Sequence, residues 1–582
     1  MLKYLSGLIL IISIFYFWIL PLFSQDTIFI NGKIITMESQ NSEFEAIYIK
    51  DGLISEIGNT EDIIKNVNWN TKVIDLKGKT MMPGFIEAHC HPIGTAIIDQ
   101  VLNISGYNYN TRAEIINAIK TEINNSNNDD WLIVFGWDPV MVDDLENPSL
   151  SELNDISPNR PLLILTQMMH HGFINSAGYK RAKITKDYPI LSGAGKFLKD
   201  NNGELNGVIY EVTALQYILK QLPKTPSSAI QLLLNIQYSK YAKAGFTSIG
   251  VLGPIEKGGY PLDFMYNLAS QKNMPIRTFI YGLENQIDSA NWQPNYGHDK
   301  FRLKGVKLYM DGSPYTGGAA FKDAYENSHI TLNRIGLNPN HYGEVNYSLN
   351  EFIPLVEKYH NQGFQIAIHV QGEVAIDIAL DAIEYALINQ PRENHRHRLE
   401  HNALITTEQI NRAEKLGVTL SVFIDHIYYY GDKLDQIVGE ERTQRYMPLG
   451  TAMKIGNYTT IHTDNPVTPV NALRPVETAI LRKTRITGKI VGSQERLTKF
   501  DALKAITINP AWQFIEENNI GSLELGKFAD LVILSENPFD IDAENYQNIK
   551  IESTWLSGKK INTSIYNWTN LKLSILTLWE MM

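Results

Sequence analysis

Two histidines one residue apart, His89 and His91, close an apolar stretch reading GFIEAHCH at residues 84–91. In an extended chain, successive side chains alternate faces, so both imidazoles point one way and Cys90 the other. Two imidazoles on one face can hold a divalent metal through nitrogen. Cys90 is the single cysteine of the chain, which excludes an intrachain disulfide framework and a cysteine-rich zinc site. Any metal must then rest on imidazole and oxygen donors. Lys307, His369, His401 and Asp464 each fall at or near the end of a later apolar stretch. Taken singly, Asp464 could cap a helix and Lys307 could snorkel or pair with a carboxylate. Together the set points to metal-assisted hydrolysis.

Such chemistry needs a scaffold that gathers distant strand ends. Strands are predicted at 84–91, 246–253, 275–283, 303–312, 364–370, 398–401, 419–425 and 459–464. Helical stretches such as EFIPLVEKYHNQ, EVAIDIALDAIEYALINQ and TTEQINRAEKLG lie between several of them. Eight short apolar strands with helical crossovers fit a closed parallel sheet, an α/β fold of the (β/α)8 TIM-barrel type. In these barrels the working groups come from the C-terminal ends of different strands. His89 and His91 on strand one, Lys307 on four, His369 on five, His401 on six and Asp464 on eight follow that rule. The barrel is assigned to residues 81–510, with residues 102–235 as an insertion after strand one, since they break the rhythm.

Residues 25–80 read as short strands and turns: TIFINGKIITM, AIYIKDGLISEIG and KVIDLKGKTMMPG. Asn31-Gly32 and Asp51-Gly52 predict hairpins there. The same texture returns at 511–582, in GKFADLVILSENPFD and KIESTWLSGKKI. Both ends are expected to build one small β-sandwich beside the barrel, followed by a C-terminal tail.

The first residues do not belong to that fold. Lys3 precedes an apolar run from Leu5 to Phe23, broken at Pro21, with Ser24-Gln25 as a cleavage point. Residues 1–24 therefore read as a secretory signal peptide; the alternative is an uncleaved membrane anchor over residues 5–23. Either reading exports the catalytic part, to a periplasm in the first case. The net charge of −11, without a long run of Lys and Arg, argues against nucleic acid or an anionic lipid surface as partner.

The motifs MMPGFIEAHCHP, GVIYE, GVKLYMDG, IAIHVQGE, RLEHNAL, IHTDNPVTP and GSLELGKFADLVIL carry a resemblance. The chain resembles the amidohydrolase superfamily over residues 27–560, and within it the amidohydrolase-3 group of YtcJ-like proteins and N-substituted formamide deformylases. The resemblance implies that His89 and His91 hold one metal and His369 and His401 a second. It implies a carboxylated Lys307 bridging the two, and Asp464 as ligand and catalytic base. Glu211, in GVIYE, is the alternative bridging ligand. Glu87 and Glu373 depart from the group's usual Asp but keep the charge. His170 and Asn175 match the group's His…Asn-Ser segment and are expected at the substrate, as is His426, which follows strand seven. His171 is the rival to His170, and the tyrosines at 428–430 form either an aromatic wall or a packed surface loop.

The implied activity is hydrolysis of a C–N bond in an amide, N-acyl, N-formyl or cyclic amide substrate by a metal-activated hydroxide. Two zinc ions are the first expectation from mixed imidazole and oxygen donors, with iron, manganese or cobalt as alternatives. A mononuclear deaminase-type enzyme on the same scaffold is a second reading, because fold does not set reaction. A non-catalytic binding or regulatory protein is a third. The implied partner is a small molecule; homo-oligomerisation is left open.

Overall fold

The computed structural model describes residues 25–39, 43–126, 130–191, 193–222, 225–253, 262–271 and 273–581. The apolar run at residues 5–23 lies outside them. Among the described residues, no helix is long and apolar enough to cross a membrane.

Eight parallel strands form the centre of the molecule, in the order Phe85–Cys90, Phe246–Leu252, Arg277–Gly282, Phe301–Tyr309, Gln365–Val370, Arg398–His401, Thr419–Val422 and Thr460–Ile461. Every neighbouring pair along this path is parallel. These are the eight strands expected from the sequence. Strands one, two, three and five are buried along their whole length, as a sheet covered on both faces demands, so apolar runs replace strict alternation. The first and last strands meet through single contacts: the Glu87 carboxylate accepts hydrogen bonds from the amide and hydroxyl of Thr463, the latter at 2.7 Å. Just beyond, the His91 amide donates to the Asn465 carbonyl at 2.9 Å.

The crossover helices start where their sequences supply caps. Ser348 and Glu351 form a capping box before Leu349–Asn361, and Thr406 and Gln409 do so before Thr407–Lys415. Each satisfies backbone N–H groups that the first turn leaves open.

Both ends of the chain contribute to two smaller sheets. One has four strands, Leu53–Gly58, Ala46–Lys50, Asp26–Ile30 and Thr71–Asp75. The other has six and mixes the two ends: Lys559–Lys560, Ile551–Leu556 and Leu531–Leu534 lie beside Thr80–Pro83, Lys33–Ile35 and Glu43–Phe44. Phe29, Ile47, Met81, Leu531 and Trp555 pack in a common core. Asp51-Gly52 turns a hairpin, with Ala46–Lys50 antiparallel to Leu53–Gly58. Asn31-Gly32 does not: the strands it joins belong to different sheets, Asp26–Ile30 pairing with Thr71–Asp75 and Lys33–Ile35 with Thr80–Pro83. The left-handed Asn31 (φ 54°) serves a change of sheet instead. An ion pair joins this unit to the barrel, with Arg277 Nε 2.7 Å from Asp530 Oδ2 and both side chains buried.

The segment after strand one carries a sheet of its own, six strands in the order Lys196–Lys199, Leu205–Tyr210, His171–Ile174, Leu162–Thr166, Leu132–Trp137 and Leu102–Asn103. The helix Ser227–Lys243 runs across the insertion boundary expected at 235 and packs on the barrel helix Pro92–Ile98 and strand two.

Candidate metal centre

His89 and His91 leave strand one at its C-terminal end, and their rings meet those of strands six and eight. The centroid of His89 lies 4.7 Å from that of His401 and 4.8 Å from that of His462. Asp464 closes the group: its Oδ1 lies 3.1 Å from His91 Nε2 and 3.5 Å from His89 Nε2, and its Oδ2 3.9 Å from His401 Nδ1. The His369 ring lies 4.5 Å from that of His401. Lys307, on strand four, is buried and joins His369, His401 and Asp464 in lining one chamber. Five of the six residues expected as ligands thus line it, and the sixth, His89, lies directly behind.

The donor atoms suit a divalent cation. His89 Nε2, His91 Nδ1, His369 Nε2, Lys307 Nζ and Asp464 Oδ1 are buried without a hydrogen-bond partner, and polar atoms left so are costly unless something else satisfies them. The ligand-type atoms of His89, His91 and Asp464 fall within 4.8 Å of one another, as do those of His89, His401 and His462. Burial holds the His89, His369 and His401 imidazoles well below the usual histidine range, so each is neutral with a lone pair to offer. Burial also lowers the Lys307 amine to about 8, which brings its uncharged form within reach near neutral pH. His401 (φ 74°) and Asp464 (φ 52°) hold left-handed backbone at strand ends, a costly conformation that collects at working sites.

His89 is also braced from behind. Glu400 Oε2 lies 2.7 Å from its Nδ1, and Arg398 pairs with the same carboxylate. A carboxylate on Nδ1 leaves Nε2 as the free nitrogen. Glu400 and His462 were not among the residues singled out from the sequence. His462 carried a signal, two residues before Asp464, where extended backbone returns a side chain to the same side. Glu400, next to His401, points to the opposite face of its strand, and only the closed barrel brings it behind His89.

Two expected site residues stand elsewhere. Asn175 is fully buried, and its amide is spent on backbone, accepting from Leu162 N and Gly178 N and donating to the Ser157 and Arg160 carbonyls. It caps the helix Ser176–Arg181 and does not border the chamber. His426 is fully buried against Tyr315 and Phe423. The Phe423 ring packs on it with centroids 4.1 Å apart, His426 does not border the chamber, and burial lowers it to about 3. Tyr430 belongs to the same core, donating to Asp138.

Glu211 bonds the insertion together. Its Oε2 lies 2.8 Å from His170 Nδ1, and its Oε1 sits against Gly312 and Gly318, where an added Cβ would come within 2.2 and 2.6 Å. Burial opposes charge on both partners, yet each favours the ion in the other, raising His170 and lowering Glu211. His170 lines the chamber with its ring 4.8 Å from that of His369. His171 lies to one side, its Nε2 3.9 Å from Glu211 Oε1. Glu373 pairs with Arg445.

The remaining chamber wall is mostly apolar, with Leu165, Met168, Leu215, Leu219 and Val467 beside Gln216 and Tyr309, and most of it comes from the insertion.

Comparison with known proteins identifies the family and the fold. The chain is 26% identical over 556 residues to the N-substituted formamide deformylase of Arthrobacter pascens, covering 92% of this chain and 98% of that protein. It is 25% identical over 538 residues to the YtcJ protein of Bacillus subtilis (strain 168), covering 91% and 98%. The crystal structure of an uncharacterized metal-dependent hydrolase from Pyrococcus horikoshii shares the fold, with a TM-score of 0.70 at 23% identity over 89% of this chain and 99% of that one. The amidohydrolase family model matches residues 72–561, and the chain belongs to that family, as a metal-dependent hydrolase acting on carbon–nitrogen bonds.

Proposed function

We propose that this chain is an exported amidohydrolase that cleaves the C–N bond of a small N-acyl, N-formyl or cyclic amide bearing an apolar substituent, with two divalent metals, zinc first. The observation that carries this reading is the set of buried, unpartnered donor atoms on His91, His369, Lys307 and Asp464 lining one chamber, with that of His89 behind them. The apolar wall from Leu165 to Val467 supports the substituent, and the formamide deformylase relative supports the amide class. Export rests on the apolar run at residues 5–23.

His89 and His91 would hold one metal, His369 and His401 the other, with Asp464 on the first. Lys307, buried and able to shed its proton, would capture carbon dioxide as a carbamate and offer two oxygens as the bridge. Glu211 is less suited to bridge, because His170 already occupies one of its oxygens. Bound metals supply two things at such a centre: a lowered pKa for water and polarisation of a carbonyl. Asp464 accepts the proton from the attacking water and returns it to the leaving nitrogen as the tetrahedral adduct collapses. His170 faces the substrate, held by Glu211.

A mononuclear reading has one observation in its favour. The two groups of clustered ligands share His89, and with Nδ1 facing Glu400 that ring has a single nitrogen to give. Metal content per chain on the purified protein, by elemental mass spectrometry after desalting, separates the readings. Two metals support the binuclear hydrolase and one the deaminase-type site. None after incubation with zinc would remove the mechanism.

A further inference from the structure

The helix Trp568–Met581 lies on the helix Ser227–Lys243 with its polarity reversed. Its inner face is mostly polar: Asn235 Nδ2 donates to Asn570 Oδ1 at 2.7 Å, and Thr577 and Ser228 share a hydrogen bond at 3.0 Å. Its outer face is apolar, with Trp568 84% and Trp579 72% exposed, and Leu571, Ile575 and Leu578 each about half exposed or more. A surface helix ordinarily buries its apolar stripe and shows its polar one.

Two features of the stripe identify what covers it. Positions 568, 571, 575 and 578 alternate steps of three and four, the spacing of a seam that packs against another helix. Each exposed tryptophan offers roughly 150–250 Å², and with the aliphatic side chains the patch approaches the ~800 Å² per partner of a stable protein interface. Monomers rarely leave a contiguous apolar patch of that size in water. Lipid is a poorer match, because helices that lie on membranes carry a basic polar face, whereas Lys572 and Glu580 are the only charges on this helix.

We propose that Trp568–Met581 is a self-association surface, on which two copies of this chain pair helix against helix about a two-fold axis. A two-fold contact needs one self-complementary patch on each copy, and this helix supplies it without reference to the metal centre. The test is the mass in solution of the full chain, by light scattering on a sizing column. The expected result is twice the 66.0 kDa of one chain, falling to a single chain in the Ile575→Lys/Leu578→Lys variant with metal content unchanged. Should that variant fail to fold, Ile575→Cys decides: Cys90, the single native cysteine, is buried, so oxidation should link two chains only through position 575. A parent of single-chain mass at the concentrations used, a dimer that survives the lysine substitutions, or no cross-link at 575 overturns the proposal. So would a single-chain parent that sediments with phospholipid vesicles, which would assign the face to lipid.

Discussion

Glu400 Oε2 lies 2.7 Å from Nδ1 of His89, and neither side chain is exposed to solvent. The pair crosses the barrel from strand six to strand one and fixes which nitrogen of His89 faces the chamber. Arg398, also buried, balances the carboxylate charge. A carboxylate behind a metal-binding imidazole typically accounts for 10- to 100-fold in metal affinity. Glu400→Gln should therefore retain the fold and weaken zinc binding by about that factor, read by competition with a chelating dye. Unchanged zinc affinity would reduce Glu400 to a partner for Arg398.

Lys307 and Glu211 make opposite predictions for metal content. Lys307→Ala should lower it, with recovery when a short carboxylic acid fills the vacated space. Glu211→Gln should leave metal in place and slow turnover of an N-acyl substrate by about 10- to 100-fold, since misplacing a substrate-facing group by an ångström costs on that order. His170→Asn should cost a similar factor, and the double variant little more, because both substitutions break one dyad. Loss of about one metal in Glu211→Gln would instead make Glu211 the bridge.

Asp464→Asn keeps a ligand oxygen and removes the proton acceptor. Metal content should hold while kcat falls by roughly 10²- to 10⁴-fold, the usual share of a general acid–base group. Parental turnover in this variant would move the base elsewhere.

The barrel was legible because burial and chemistry coincide on it. Its strands are apolar runs, and five of the eight end on a residue that can bind metal or bridge it. The sites outside the barrel were not, because a residue type does not say which atoms are already taken. Asn175 has the right identity for a substrate contact, but Leu162, Gly178, Ser157 and Arg160 consume its amide. His426 follows strand seven as a substrate group would, yet its ring is packed among Tyr315 and Phe423 and does not border the chamber. Asn31-Gly32 has hairpin chemistry, but a turn motif sets only the bend, and tertiary pairing with Thr71–Asp75 and Thr80–Pro83 decided where each strand went.

The opposite mouth of the barrel carries a histidine cluster with its own pH dependence. His397 Nδ1 accepts from Ile366 N, so its Nε2 carries the proton and donates to His360 Nδ1 at 2.9 Å. His360 Nε2 donates to the Gln390 carbonyl, and His395 donates to Leu416 while accepting from His397 N. All six ring nitrogens are engaged by neutral rings, so a further proton must break a bond. Burial lowers His395 to about 4 and the other two as well. The unfolded chain binds protons at these rings below the ordinary value of 6.5, while the folded chain refuses them. Stability is therefore fully present above pH ~6.5 and declines as pH falls toward the folded values, by about 1.4 kcal/mol per pH unit for His395. His395→Asn removes one titrating ring far from the metal centre. Between pH 6.5 and about 4, its urea-derived stability should fall less steeply than the parent's by about that slope. Equal slopes would mean that the cluster takes up protons without cost and does not set the acid limit of the fold.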